Sequence, residues 1–230
     1  PAWLQKALQA VGMRPISFLV DVTNFFTIDR NRPLHVFDVD KIAGNLRVHR
    51  ALGSENIVAL DDKEYTLGRG QMVISDDNGV ESIAGIIGGL ATGCTDETVN
   101  VFVEAAFWDP IQIAYAGRAL KINSDARYRF ERGIDPEFTP VGLDLAVTLI
   151  LEYAGGEVSE MIQVGEIPDT SRAHKLDTDR VHSLVGMEIA GSTQRETLTA
   201  LGFVLEGDMA NVPSWRPDVT GEADLVEEVV

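Results

Sequence analysis

Asn123-Ser124-Asp125-Ala126-Arg127-Tyr128-Arg129-Phe130-Glu131-Arg132-Gly133-Ile134-Asp135-Pro136 is the stretch from which the organisation of this chain can be worked out. It gathers Arg127, Arg129 and Arg132 in a chain whose formal net charge is −17. Gly133 is a natural helix stop and Asp135-Pro136 a natural helix start. By itself the stretch reads as a short amphipathic helix with a solvated basic face. Downstream, the clearest helical pattern of the sequence runs from Asp135-Pro136 to Ala154, ahead of Gly155-Gly156. Upstream, Asp109-Pro110 opens a helix expected to reach about Lys121.

What lies before these helices alternates in another way. Leu4, Ala7, Leu8 and Val11 share one face of a short helix over 2–11, stopped by Gly12. Phe18, Leu19, Val22, Phe25 and Phe26 keep helical spacing over 16–28; their β-branched and aromatic neighbours make a strand the alternative. Asn31-Arg32-Pro33 breaks the chain ahead of the tight segment Leu34-His35-Val36-Phe37-Asp38. From Leu46 the period changes to two, with Leu46 and Val48 alternating with Arg47 and His49. Short strands are expected over 57–60, 65–67 and 71–75, and Asp77-Asn78-Gly79 marks a hairpin between 71–76 and 80–87. Val99 to Phe107 reads as a further strand. Strands in one block with helices behind them predict an α+β domain over residues 1–162, a mixed sheet with packed helices.

Past Ala154, Val158 to Val164 reads as a strand, and the polar, proline-containing linker Gly165–Arg172 places the domain boundary. Residues 163–230 then hold helices over 177–185 and 193–201, the second with Thr193 and Glu196 at capping-box spacing. A hairpin follows, 203–206 and 211–215 about Gly207-Asp208. Two helices and a two-stranded wing predict a small winged-helix-like domain. The chain begins at Pro1 and ends in a helical pattern from Asp224 to Val230, so it is expected to be a piece of a longer protein.

Composition narrows the function. The 230 residues are enough for a large domain and a small one. A net charge of −17 opposes broad contact with nucleic acid, so any RNA contact is local or shared with other chains. The single cysteine, Cys94, excludes an internal disulfide, and no metal-ligand spacing surrounds it. No apolar run is long enough to span a bilayer, and no signal peptide is visible; no membrane partner and a cytoplasmic location are expected.

Several residues could carry chemistry. His35 sits between Leu34 and Val36, as a satisfied core histidine or as a catalytic group. Glu104 interrupts Val101-Phe102-Val103 and Ala105-Ala106-Phe107; it either points outward by alternation or is buried with a partner. The glycines of Ala84-Gly85-Ile86-Ile87-Gly88-Gly89 serve a turn or bulge, or the close approach of a ligand; without Gly-Lys-Ser/Thr this is not a phosphate loop. Ser124 and Ala126 are small, suited to capping and tight packing, and Asn24 beside Thr23 could close a backbone gap.

The opening stretch resembles the signature of the beta subunit of bacterial phenylalanyl-tRNA synthetase, in the domain that hydrolyses mischarged tRNA. Arg14-Pro15-Ile16, Val20-Asp21-Val22-Thr23-Asn24, Pro33-Leu34-His35-Val36-Phe37-Asp38, Ala84–Gly89 and Glu104-Ala105-Ala106-Phe107 are similar to successive blocks of the same subunit, in order and near its spacing. Val212–Arg216 and Asp224–Glu228 resemble its B5 domain. The resemblance implies a B3/B4-like editing domain over 1–162 and a B5-like domain over 163–230, C-terminally truncated. It implies catalytic positions at His35 and Glu104, and substrate-binding positions at Thr23, Asn24, Gly88, Gly89, Glu104, Ser124 and Ala126. Glu104 matches the glutamate that receives the tyrosine hydroxyl, and His35 would position the ester or the attacking water.

By the same resemblance the reaction is hydrolysis of tyrosyl-tRNA(Phe), with tyrosine as the editing ligand and the tRNA acceptor end as partner. No metal or cofactor is implied for these residues, whereas ATP and magnesium are implied for the full enzyme, a heterotetramer of two alpha and two beta chains. The alternative is a non-catalytic module of the same type that binds an amino acid or a protein. Three departures stand out: Ser124 where the family usually has Thr, Arg127 where it has Ser, and Asn31-Arg32 where it has Gly-Gln.

Overall fold

The computed structural model describes all 230 residues and divides them into two compact units, Pro1–Gly165 and Glu166–Val230. The first unit opens with helices α1 (Ala2–Ala10) and α2 (Phe18–Asp29). Strand β1 (Leu34–Asp38) follows, and then β2 (Arg47–Arg50), β3 (Asn56–Val58), β4 (Glu64–Thr66), β5 (Met72–Ser75), β6 (Val80–Ile83), β7 (Ile87–Gly88) and β8 (Val101–Ala105). Helices α3 (Pro110–Leu120), α4 (Asp125–Phe130) and α5 (Phe138–Ala154) complete it. The class is α+β. Every ladder is antiparallel, in three sheets: β1 with β8, β3 with β4, and β2-β5-β6-β7.

Local chemistry sets the ends of these elements. Asp109 caps α3 through its carboxylate, which accepts from the backbone N–H groups of Ile111 at 2.9 Å and Gln112 at 3.1 Å. The 71–76/80–87 hairpin forms, but its second arm contains a further turn. Gly85, at φ +68°, reverses the chain so that Ile87 pairs back with Ile83. Two cores result. One gathers Phe37, Val73, Ile83, Trp108, Ile113 and Phe130 between the strands and α3–α4. The other joins α1, α2 and α5 through Leu4, Leu8, Val22, Phe26, Ala146 and Ile150.

Three expectations for this unit need correction. In β2, an edge strand, Val48 is 55% exposed while His49 turns inward and bonds the Ser75 hydroxyl at 2.8 Å. Helix α5 begins at Phe138, after Asp135 has accepted from the Glu137 N–H in a turn. Val158 to Val164 is not a strand. Its apolar residues are exposed, Val164 at 92%, because no other strand offers a ladder and an isolated alternating segment cannot satisfy its backbone as a sheet.

The second unit contains β9 (Ala173–Lys175), α6 (Asp179–Val185), α7 (Gly191–Ala200), β10 (Val204–Glu206), β11 (Met209–Asn211) and α8 (Glu222–Val229). Its sheet has three strands in the order β10-β11-β9, one more than the expected wing, around a core of Leu198, Phe203, Ala210, Val219 and Leu225. The second hairpin strand comes earlier than expected, at 209–211 rather than 211–215. The capping box at Thr193 is not made: α7 starts at Gly191, so Thr193 is already inside its first turn. The buried Gln194 amide ties that end instead, donating to the carbonyls of Thr178 and Ile189, both at 2.9 Å.

Candidate active site

The β1–β8 ladder sets Glu104 directly opposite His35. Paired residues of an antiparallel ladder present their side chains on the same face, so both turn to one side although alternation alone left Glu104 open. The imidazole lies edge-on to Phe37, ring centres 4.3 Å apart. It also lies over Gly88 of β7, where a Cβ would stand 2.2 Å from the His35 Cε1. Gly88 is therefore glycine because the histidine ring occupies the space a side chain would need.

These groups line a cavity of about 310 Å³. Thr23, Asn24, His35, Gly88, Glu104, Ser124 and Ala126 all contribute to its wall. Gly89 does not. It lies within the strand layer, where its N–H donates to the Glu81 carbonyl at 2.7 Å, and an added Cβ would stand 2.7 Å from that oxygen. Thr27, Ser82, Cys94, Asp125 and Trp108 also line the cavity and were not singled out by sequence. Thr27 had a usable signal, since it follows Thr23 by one helical turn on α2. Cys94 had none.

Hydrogen bonding separates the polar lining into two sets. Thr23 donates to the Val20 carbonyl at 2.9 Å, Thr27 to Thr23 at 2.7 Å, and Ser82 to Ile87 at 3.3 Å. Ser124 caps α4 by accepting from the Arg127 N–H at 3.1 Å, and donates to the Ile86 carbonyl at 2.6 Å. Each of these hydroxyls is spent on the fold. His35 Nε2, by contrast, is buried without a partner, and the Glu104 carboxyl draws on no hydrogen bond. Buried polar groups are nearly always paired, so the orphaned His35 nitrogen, facing a half-buried carboxyl that makes no hydrogen bond, marks where a ligand would supply the partners.

Burial shifts both groups. Desolvation pushes the Glu104 carboxyl up to about 7, only partly offset by the positive charge of Arg32. Desolvation lowers His35 to about 4, so its imidazole is neutral at pH 7. Arg32 is wholly buried and is itself brought down to about 10 by burial.

The signature stretch forms the adjoining wall as α4. Its basic face is not solvated as the sequence suggested, because Arg127 is buried. That guanidinium pairs with Glu131 at 3.0 Å, bonds Asn123 at 3.0 Å, and lies against Gly117 of α3, where a Cβ would stand 2.2 Å from its Nε. Arg127 thus clamps α4 to α3. Arg132 stacks over the exposed Tyr128 ring at 3.7 Å.

With an α+β unit, a cavity lined in part by glycine, and a histidine facing a glutamate, the chain belongs to the B3/4 domain family, whose sequence model matches residues 1–155. Residues 174–230 match the tRNA synthetase B5 domain. The chain is similar to the phenylalanine–tRNA ligase beta subunit of Ruegeria pomeroyi, 69% identical over 229 residues, covering 100% of this chain and 29% of that protein. The beta subunit of Cereibacter sphaeroides is 64% identical, over 100% of this chain and 28% of its own. The chain thus spans less than a third of these relatives. A crystal structure of an N-terminal fragment of the Pyrococcus horikoshii phenylalanyl-tRNA synthetase beta subunit aligns at 19% identity with a TM-score of 0.42, over 92% of this chain and 64% of that one.

Proposed function

We propose that the first unit is an editing site that hydrolyses the ester of tyrosyl-tRNA(Phe), as part of a phenylalanine–tRNA ligase. The observation that carries this is the unpaired His35–Glu104 couple inside a cavity of about 310 Å³. That volume lies at the small end of ligand pockets, roughly 300–1,000 Å³, and suits an aromatic amino acid rather than a nucleotide. Glu104 receives the tyrosine hydroxyl. When phenylalanine enters, the carboxyl is left unpaired, at a cost on the order of 1–3 kcal/mol. Ala126 leaves room for the ligand, Gly88 leaves room for the His35 ring, and Asn24 and neutral His35 line the same cavity to orient the ligand's polar end.

In the reaction, the oxygen of water attacks the ester carbonyl carbon and the bond from that carbon to the ribose oxygen breaks. Tyrosine leaves as the acid, and the ribose oxygen takes up the proton that the water gives. His35 positions the water or the ester; the couple makes no hydrogen-bonded nucleophile–base pair. The partners of the whole enzyme are the tRNA acceptor end and an alpha chain. ATP and magnesium serve the ligation step, and no residue of this chain is assigned to them.

Single-turnover deacylation by the intact ligase tests the reading. Tyrosyl-tRNA(Phe) should be hydrolysed faster than phenylalanyl-tRNA(Phe). A module that only binds an amino acid or a protein leaves both esters intact.

A further inference from the structure

We propose that the exposed side of α4 and the turn leading into it, with Lys121, Tyr128 and Arg132, is the surface on which a single-stranded RNA end lies while its ester enters the cavity. The inference rests on the editing reading given above and names the surface that presents the substrate to it.

Charge singles the region out. Residues 118–132 carry five of the chain's 19 lysines and arginines but two of its 36 aspartates and glutamates, a local balance of +3 in a chain of −17. Arg127 is spent inside, against α3. Arg118, Lys121 and Arg132 are exposed. The ion pairs of the region join Arg127 and Arg132 to Glu131 and Arg129 to Asp125, and none reaches Arg118 or Lys121. Arg132 meets Glu131 and the Tyr128 carbonyl through Nη1, which leaves its other nitrogens to an outside acceptor.

Position ties this surface to the cavity. Ser124, Asp125, Ala126 and Phe130 all line the cavity. The Asp125 side chain is also 56% exposed, so α4 begins at the rim where the cavity meets solvent. Residues three, four and seven places along a helix share a side. Tyr128, Arg129 and, in the turn that closes the helix, Arg132 therefore lead away from Asp125 along one side of α4. Lys121 ends α3 three residues before Ser124, on the approach to the same rim.

The chemistry fits unpaired RNA. The Tyr128 ring is 55% exposed, and the Arg132 guanidinium lies over it at 3.7 Å from the ring centre. Single strands are held by aromatic rings on which bases stack and by lysine and arginine that meet the phosphates. Both kinds of group stand together here, beside the opening through which an ester on the strand's end would pass. Elsewhere the chain is strongly acidic and repels phosphate, so contact is confined to a patch of this size.

The experiment must separate RNA contact from cavity shape. It measures single-turnover deacylation of tyrosyl- and phenylalanyl-tRNA(Phe) by saturating intact ligase. The proteins are wild type, Tyr128→Ala, the double variant Lys121→Gln,Arg132→Gln, and Lys6→Gln, which removes an exposed charge from α1. Tyr128→Ala and the double variant should each slow both esters by the same factor, about fivefold or more, because the surface holds the RNA and not the amino acid. Free tyrosine, titrated calorimetrically into the same proteins, should bind as it does to wild type. Lys6→Gln should match wild type throughout. Unchanged rates in Tyr128→Ala and the double variant overturn the proposal, and so does an equal loss in Lys6→Gln. A loss confined to the tyrosyl ester, or weakened binding of free tyrosine, also overturns it and returns α4 to shaping the cavity. If wild type hydrolyses neither ester, the editing reading fails, and crosslinking then judges the surface by itself. Tyr128→p-benzoylphenylalanine should label the 3′ end of tyrosyl-tRNA(Phe) on irradiation; no label on the RNA overturns the proposal.

Discussion

Glu104 and His35 face each other, and burial moves them in opposite directions. The Glu104 carboxyl is raised from 4.5 to about 7, so the folded chain holds its proton more tightly than the unfolded chain does. The associated stability is fully present below about pH 4.5 and is lost as pH rises through about 7. His35 is lowered from 6.5 to about 4; its contribution is present above about pH 6.5 and is lost as pH falls through about 4. Glu104→Gln should therefore flatten the decline in thermal midpoint between about pH 5 and 8 by an amount corresponding to at most about 3 kcal/mol. A midpoint that declines as steeply as in wild type would show that the carboxyl is not held in a desolvated site. At the same scale, Gly88→Ala should displace the His35 ring, since the new methyl would stand 2.2 Å from Cε1. Deacylation should fall at least tenfold with the second unit unaffected, which kinetics and calorimetry would check together.

At the scale of elements, α4 separates a cavity wall from a core. Ala126 lines the cavity, whereas Arg127, the next residue, is clamped against Gly117. Ala126→Trp should place its ring in open space, leaving the thermal midpoint nearly unchanged while tyrosyl-tRNA deacylation is lost. Overpacking of an ordinary core would instead cost roughly 1–3 kcal/mol. Gly117→Ala should do the reverse of a silent change, forcing Arg127 off α3 and lowering the midpoint. A Gly117→Ala protein as stable as wild type would show that the clamp does not hold α4.

The same elements show what could be read from sequence. Asp109-Pro110, Gly12 and Asp77-Asn78-Gly79 each dictate local backbone geometry, and the structure follows all of them. Val158 to Val164 misled, because a period of two describes how a strand would face, not whether a neighbour exists to pair with it. Glu104 was ambiguous for a related reason: which side of a strand is buried depends on the partner, here β1, which lies far away in sequence. Arg127 read as part of a solvated face and Arg32 only as part of a chain break and a departure from the family; no local pattern reveals that Gly117 and Gly142 leave space for their burial.

For the whole molecule, the two units differ in what they can do. The first contains the cavity; the second has a core of its own around Leu198, Phe203 and Leu225. The net charge of −17 opposes broad RNA contact, so the editing reaction proposed above should need other parts of a longer protein to bring tRNA to the cavity. In the proposed function, Glu104 reads the tyrosyl hydroxyl. That reading is tested most directly by single-turnover rates for tyrosyl- and phenylalanyl-tRNA(Phe) in the intact ligase, wild type against Glu104→Ala. The account predicts that the tyrosyl preference collapses by about 1–3 kcal/mol, roughly 5- to 150-fold, while phenylalanyl hydrolysis changes little. Equal losses on both esters would contradict it and return Glu104 to a role in catalysis or folding.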